Sequence, residues 1–501
     1  MSVVGRNIFA NLFGIALVTA LTVAIIPAQI RILGIEAFGV VGFIATLQLA
    51  FTALDLGLSS TLTRELAADH SEGKKDSVLL VRTALSLYYG IAIVVGLLLA
   101  ILAGPIAHNW FNASALSVEL LEHSLQIIAL FLAVRWPVAL YTGILSGFQR
   151  MDTLNIVKSV AAIVRLAGGL IVLIAWRTLD SYLWWIALSA VIEVALFALA
   201  CRGIYALMPW MPGISTKAVQ RVWRFSLSMN LLGILALIIV QMDRLIVSKQ
   251  LSLVELGQYN LAYTAATGLA LVTGAISSAV LPAFAALRED SAPQMVVEQY
   301  IKADRMMLSV MGFAAFTLMA YGDVILNLWI GKESAGAVSP LIYLAFGFWC
   351  NAISAIAYNF AVAKGRPERF IRVNILVILP YAILIYVLVN RFGIDGAAMG
   401  WVVLNVVYII TLVRPVHRHM VGISTTTWLT KAVLPVLAAG GLLIIGVRIA
   451  AEGWIGDLSQ ATCLALLCIS CLAYGIFALK YTGLNLLNFD RKNIIRIGRL
   501  G

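Results

Sequence analysis

The sequence predicts an all-α polytopic membrane protein with about 14 transmembrane helices. Of its 501 residues, 62% are hydrophobic and only 12% are charged, whereas about a quarter of a soluble domain is charged. Apolar runs of about twenty residues recur along the chain, and each can cross a bilayer core of about 30 Å as a helix. A third observation, the placement of the basic residues, supports the number of spans.

Fourteen apolar segments are predicted to span the membrane. The first, 7–30, is too long for the core of a signal peptide, so we expect it to be retained. The remaining spans are predicted at 38–63, 83–104, 121–147, 153–176, 181–201, 225–248, 257–286, 304–330, 338–363, 370–390, 394–413, 430–450 and 459–479. The loops between them are short, and no soluble domain is expected.

Basic residues alternate in number from one loop to the next. With fourteen spans, and with residues near a span end counted with the adjoining loop, 26 of the 35 Lys and Arg residues lie on the side that holds both termini and 6 lie on the other side. The remaining three, Arg135, Arg165 and Arg244, lie deeper within spans. The positive-inside rule therefore predicts that both termini are cytoplasmic. The net charge of +11 is then mostly a topological signal, and nucleic acid is not needed as a partner to explain it.

Short matches between the two halves indicate an internal repeat. "NLFGI" at 11–15 matches "NLLGI" at 230–234, Glu36 matches Glu255, and "QRMD" at 149–152 matches "GRPE" at 365–368. Because each unit holds six spans, the repeat is parallel, with a cavity expected between the lobes. The predicted organisation is an N-terminal six-helix lobe, a C-terminal six-helix lobe, and two extra helices with a basic cytoplasmic tail, in the ranges 1–209, 210–420 and 421–501.

Two segments near the N-terminus resemble a known family. "RILGIEAFGVVGF" at 31–43 and "LDLGLSSTLTRELA" at 54–67 are similar to the start of the Wzx-type polysaccharide flippases, in the superfamily shared with multidrug antiporters and peptidoglycan lipid flippases. The shared features are the G-x-E-x-F-G turn, the D-x-G pair, and arginine-bearing loops after spans 4 and 10.

The resemblance implies two six-helix lobes in a V and alternating access in a bacterial inner membrane. It also implies a substrate, a polyprenyl-diphosphate-linked oligosaccharide such as an O-antigen or exopolysaccharide repeat unit. Membrane lipids and the polysaccharide polymerase machinery are the other partners to consider. No metal, cofactor or catalytic residue is predicted.

Charged residues inside the predicted spans are the candidates for the substrate site. A charge at the bilayer centre costs roughly 2.5–3.5 kcal/mol on insertion scales, so it normally faces a partner or a wet cavity. Arg135, Arg165 and Glu193 fall near mid-span, and Asp55 lies in the inner half of span 2. Arginine stays charged and binds phosphate oxygens in pairs. We therefore expect an electropositive cavity that receives the diphosphate.

Two neighbours of Arg135 have predicted roles in the same path. Trp136 could stack on a sugar or pack against lipid. Pro137 removes one helix hydrogen bond, so it is predicted to bend span 4 or act as a hinge.

Structural roles remain open for several of these side chains. Arg165 and Glu193 could form a buried pair between spans 5 and 6, and Asp55 could shape the end of span 2. Asp243 and Arg244, in the outer half of span 7, are candidates for coupling or gating. As adjacent residues they point in different directions on a helix, so each needs its own partner.

Two other classes of protein are alternatives to a flippase. A multidrug or small-cation antiporter of the same superfamily needs acidic residues in its cavity, whereas the residues nearest the midplane here include two arginines. A membrane enzyme needs a catalytic loop outside the membrane. The sequence has no such loop, no D-x-D, no G-x-x-x-x-G-K and no H-E-x-x-H, so we expect no enzymatic activity.

Overall fold

The computed structural model describes residues 3–53, 55, 57–72, 77–204, 213, 215, 235, 237–288, 292–366, 368–456 and 458–483. Within these ranges the chain is helical and contains no β-strand. Ten helices there are long and apolar enough to cross a membrane, and shorter apolar helices lie near the N-terminus. These features confirm the predicted class, an all-α polytopic membrane protein.

The chain divides into two compact units, Met1–Asn260 and Leu261–Gly501. The division falls within the helix Leu253–Ala285. The helices that begin in the first unit are α1 (Val3–Leu33), α2 (Ile35–Ala53), α3 (Leu58–Glu72), α4 (Ser77–Asn109), α5 (Val118–Arg135), α6 (Val138–Gly147), α7 (Met151–Trp176), α8 (Leu179–Ile204), α9 (237–250) and α10 (Leu253–Ala285). The predicted lobe boundary at 209/210 lies outside the described residues, so the division into lobes stays a prediction.

The second unit contains longer helices and the C-terminal pair. Its helices are α11 (Pro293–Trp329), α12 (Val338–Ala363), α13 (Glu368–Val421), α14 (Thr425–Ile455) and α15 (Gln460–Thr482). Gly393 interrupts α13 with φ 58° and ψ −138°. The interruption separates predicted spans 11 and 12, and a left-handed φ of this kind favours glycine.

The internal repeat is visible in the turns between helices. Gln149 and Gly365 are 216 residues apart, and both have a left-handed φ, 56° and 67°. The hydrogen bonds of the two turns also correspond: Arg150 N donates to Leu145 O, and Arg366 N donates to Ala361 O, each at 2.9 Å. The same turn therefore closes predicted spans 4 and 10.

A second pair of turns has the same separation. Arg177 follows α7 with φ 57° and ψ 25°, and Gly393, 216 residues later, has φ 58° but ψ −138°. The two positions share a positive φ but not the same turn. The matched glutamates also occupy matching places, since Glu36 is in the first turn of α2 and Glu255 in the first turn of α10. "NLLGI" at 230–234 lies outside the described residues.

Candidate functional site

Predicted span 4 is interrupted at Arg135, Trp136 and Pro137. The helix α5 ends at Arg135 and α6 begins at Val138. Trp136 N still donates to Leu132 O at 3.0 Å, but Pro137 has no N–H to continue the ladder. Arg135 therefore occupies the last turn of a helix, where the carbonyl ends favour a cation.

Three helices bring a charged cluster together at this break. Arg135 donates from Nε to Glu193 Oε2 at 2.8 Å and from Nη2 to Oε1 at 3.1 Å. Arg165 on α7 donates from Nη1 to Glu193 Oε2 at 3.0 Å. One carboxylate on α8 thus holds two guanidinium groups that are 30 residues apart in the chain.

A third cation, Lys158, belongs to this cluster. Its ammonium group interacts electrostatically with Glu193 and Arg135. Lys158 precedes Arg165 by seven residues, which places both on one face of α7. We define the charged cluster as Arg135, Lys158, Arg165 and Glu193. With its three cations and one carboxylate ionised, its charge is +2.

The cluster faces away from the apolar outer surface of the unit. Exposed apolar side chains mark one face of α7: Ile156, Val160, Ile163, Ile171 and Ile174. A helix turns about 100° per residue, so Lys158 and Arg165 project from the opposite face. On α8, Glu193 likewise lies opposite the exposed side chains of Leu188, Val191 and Leu199.

The guanidinium groups remain partly open even though they point inward. The side chains of Arg135 and Arg165 are 30% and 24% exposed, whereas that of Glu193 is 7% exposed. The anion of the cluster is therefore covered, while its two arginines are accessible. A charge that is accessible but faces away from lipid borders a space that water or a polar ligand can enter.

The second half of the chain carries neutral residues where the first half has the cluster. At the 216-residue offset of the turns, Asn351 replaces Arg135, Tyr381 replaces Arg165 and Ile409 replaces Glu193. Asn374 replaces Lys158. The helix α12 also runs unbroken from Val338 to Ala363, through the position that corresponds to Pro137. The repeated fold can therefore form without the charges.

Two other predicted site residues have packing or capping contacts. The indole of Trp136 is buried and lies 5.3 Å from the ring of Tyr88 and 6.3 Å from that of Phe51. Asp55 accepts hydrogen bonds from Ser59 N and Ser59 Oγ at 3.2 and 2.6 Å. Asp55 thus stabilises the start of α3.

Asp243 and Arg244 are buried in α9 with partners of their own. Tyr259 Oη donates to Asp243 Oδ2 at 2.6 Å. Arg244 N donates to Asp243 Oδ1 at 2.7 Å, and its Nη1 donates to Gln241 Oε1 at 3.4 Å. Neither side chain makes a hydrogen bond to the charged cluster among the contacts described.

Comparison with known families agrees with the fold and with the resemblance of the N-terminal segments. Residues 4–288 match the model of a family described as polysaccharide biosynthesis protein. The chain belongs to this family. The match covers more than half of the sequence and includes all four members of the charged cluster.

Two relatives of this family member carry informative names. A Shigella flexneri protein that bears the name of an O-antigen transporter is 23% identical over 404 residues, which are 80% of this chain and 94% of the relative. The membrane protein EpsK of Bacillus subtilis (strain 168), itself uncharacterised, is 22% identical over 353 residues and 68% of each chain.

Solved structures of the same fold are flippases and transporters. The lipid II flippase MurJ, in an inward closed conformation, has a TM-score of 0.73 at 12% identity, over 95% of this chain and 98% of its own. An inward-facing multidrug transporter of the MATE family and MOP superfamily has a TM-score of 0.62 at 14% identity, over 78% of this chain and 92% of its own. The family member therefore has the fold of a membrane flippase or transporter of that superfamily.

Proposed function

We propose that the protein is a flippase for a polyprenyl-diphosphate-linked oligosaccharide, such as an O-antigen or exopolysaccharide repeat unit. It moves this substrate from the cytoplasmic to the outer face of the bacterial inner membrane by alternating access, with both termini cytoplasmic. The family and the name of the Shigella flexneri relative support the substrate class.

One observation carries the proposal: the charged cluster is confined to the first half of a repeated fold. Charges near mid-span are costly to insert, and the equivalent neutral positions indicate that packing does not require them. A net charge of +2 complements the roughly two negative charges of a diphosphate. The same charge disfavours the antiporter alternative, whose cationic substrates it would repel.

The members of the cluster have different roles in binding. The accessible guanidinium groups of Arg135 and Arg165 donate to phosphate oxygens and replace the water that the diphosphate loses. Glu193 holds the two guanidinium groups at a fixed separation and itself remains buried. Pro137 lets the helix bend beside the bound headgroup, and the buried Trp136 anchors that bend against Tyr88.

Contacts at the predicted outer end of the first unit support alternating access. The turn 251–253 and the segment 109–115 contact one another: Leu253 N donates to Asn112 O at 3.1 Å, and Trp110 Nε1 donates to Ser248 Oγ at 3.0 Å. Under the predicted division these contacts join the N-terminal and C-terminal lobes. We propose that they form an outer gate, with Asp243 and Arg244 as its buried support.

Reconstitution in liposomes tests this function. A polyprenyl-diphosphate oligosaccharide is incorporated, and its transfer between leaflets is followed by the accessibility of its sugar to an external enzyme. We expect Arg135→Ala and Arg165→Ala each to reduce transfer at least tenfold, because each loses a charge-assisted contact of about 1.5–3 kcal/mol.

Arg391→Ala is the matched control, since Arg391 is exposed near the end of a span and outside the charged cluster. It should transfer substrate at the native rate. Native rates in both cluster variants would exclude these arginines from the mechanism. Tight binding of cationic dyes, without binding of diphosphate lipid, would favour the antiporter instead.

A further inference from the structure

A cavity in the second unit lies where four helices end on the same side. It has a volume of about 590 Å³, within the usual range for small-ligand sites. Its walls are the first turns of α11, the turn from α13 to α14, the first turns of α14, and the last residue of α15. We call it the basal pocket. Its lining residues include Val297, Glu298, Ile301, Lys302, Arg305, Ile423 and Lys431.

Three cations and one carboxylate line the basal pocket. Lys302, Arg305 and Lys431 lie around it, and Glu298 offsets one of their charges. Lys302 and Arg305 are three residues apart, so they project from one face of α11. An excess of two positive charges in one pocket favours an anionic ligand.

Arg305 is held in place by one residue of the pocket wall and one beside it. Its Nε donates to Lys431 O at 2.8 Å, and its guanidinium carbon lies 4.9 Å from the centre of the Tyr481 ring. The hydroxyl of Tyr481 also donates to Lys431 O. These contacts fix Arg305 and the backbone of Lys431 relative to one another before any ligand binds.

The interior beneath the pocket is polar and closely connected. Trp428 Nε1 donates to Asp304 Oδ2 at 2.8 Å, and the buried His417 Nε2 lies 3.0 Å from Tyr300 Oη. These contacts join α11, α13 and α14 beneath the cations. The spacing of the cations is therefore set by packed helices rather than by loops.

The pocket combines its cations with apolar side chains. Val297, Ile301 and Ile423 line the same cavity. Since α11, α13, α14 and α15 all begin or end there, the cavity lies at the level where spans leave the bilayer. Under the proposed orientation this is the cytoplasmic face. Basic pockets between helices at that face suit the headgroups of anionic lipids.

We propose that the basal pocket binds the phosphate headgroup of an anionic membrane phospholipid. The cations contact the phosphate, and the apolar side chains contact the start of the acyl chains. The bilayer, rather than the cytosol, supplies the ligand, because a soluble phosphate would leave those apolar walls uncovered. This site is separate from the charged cluster, which lies in the other unit.

Binding of phosphatidylglycerol to the purified protein tests the proposal. The protein in detergent is titrated with phosphatidylglycerol, phosphatidylcholine or inorganic phosphate, and bound lipid is measured by native mass spectrometry alongside the change in Tm. We expect phosphatidylglycerol to bind and raise Tm, and the other two to have little effect. The double variant Lys302→Gln/Lys431→Gln should bind it about thirtyfold more weakly, since each cation near a membrane surface contributes about 1 kcal/mol.

Arg418→Gln is the matched control, because Arg418 is exposed on the same side of the second unit but does not line the pocket. It should bind phosphatidylglycerol as the native protein does. Equal loss in the control would mean general charge attraction and would overturn the proposal. Native binding by the double variant, or an equal Tm shift with inorganic phosphate, would also overturn it.

Discussion

Glu193 organises the charged cluster through unequal contacts with its two arginines. Both of its oxygens accept hydrogen bonds from Arg135, whereas one oxygen accepts from Arg165. A bidentate Arg–carboxylate pair is planar and directional, and lysine cannot reproduce it. Arg165 uses one donor on Glu193 where Arg135 uses two, so under the proposed function it has more donors left for a phosphate.

This asymmetry predicts different effects of two conservative substitutions. Arg135→Lys should lower the unfolding free energy by about 1–3 kcal/mol, because lysine keeps the charge but cannot donate to both oxygens of the buried carboxylate at once. Arg165→Lys also keeps the charge, and an ammonium can replace the single hydrogen bond of Arg165 to Glu193, so its effect on stability should be smaller. Thermal unfolding in detergent measures both variants. An equal or reversed order would contradict the assignment of Arg135 as the bidentate partner.

The contacts of the cluster could not be predicted from a single sequence. Arg135 and Glu193 are 58 residues apart, and hydropathy gives the ends of spans but not the rotation of one helix against another. The predicted pair of Arg165 and Glu193 is present and includes Arg135 as well, whereas the role of Arg135 in a cavity stays a prediction. Lys158 lies near the start of α7, where the sequence does not distinguish it from a cation of the preceding loop. Comparison of the two halves at an offset of 216 would have singled out the charged positions.

At the scale of helices, hydropathy identifies most of the spans, but it does not show where a span is divided into two helices. Span 2 was predicted as one segment, 38–63, but α2 ends at Ala53 and α3 begins at Leu58. Gly57 has a φ of 78°, a conformation that glycine adopts freely. The D-x-G pair that supported the family resemblance thus also marks a break, and apolar composition alone cannot reveal it.

Two glycines let α2 and α10 cross in close contact at the proposed outer gate. A Cβ on Gly39 would lie 2.4 Å from Leu253 O, and one on Gly257 would lie 2.2 Å from Ile35 O. Backbone atoms cannot move aside as a flexible side chain can. Small residues of this kind permit close helix packing in membranes.

Gly39→Val should therefore open the proposed gate. We expect a loss of about 1–3 kcal/mol of stability from overpacking, and faster labelling from outside of a cysteine placed at Ser248, which is 1% exposed. The measurement uses a membrane-impermeant maleimide in a background without the five native cysteines. Gly268→Val is the control, since a Cβ there meets no atom within 4 Å. Unchanged labelling in Gly39→Val would contradict a gate at this crossing.

At the scale of the whole molecule, the repeat explains why the fold was predictable and the site was not. Both halves repeat the left-handed turn after predicted spans 4 and 10, and both have a positive φ after spans 5 and 11, so spacing and turn residues mark the repeat in the sequence. The four residues of the charged cluster occur in the first half, and the corresponding positions of the second half are neutral. A repeat that is similar in its turns but different in its charges is what we expect if, as proposed, only one of the two predicted lobes binds the diphosphate.

The charge of the substrate predicts a response to membrane potential. The cluster returns after each cycle, so a complete cycle moves only the charge of the substrate and of any coupled ion. Two negative charges moving outward through a potential that is negative inside gain about 2.3 kcal/mol per charge per 100 mV. In liposomes with a potassium gradient and valinomycin, the substrate should accumulate in the positive leaflet, and reversing the gradient should reverse the accumulation. An uncharged lipid-linked sugar is the control. If the distribution of the substrate did not depend on the potential, a co-transported cation would have to cancel the diphosphate charge. The membrane potential would then not set the direction of export.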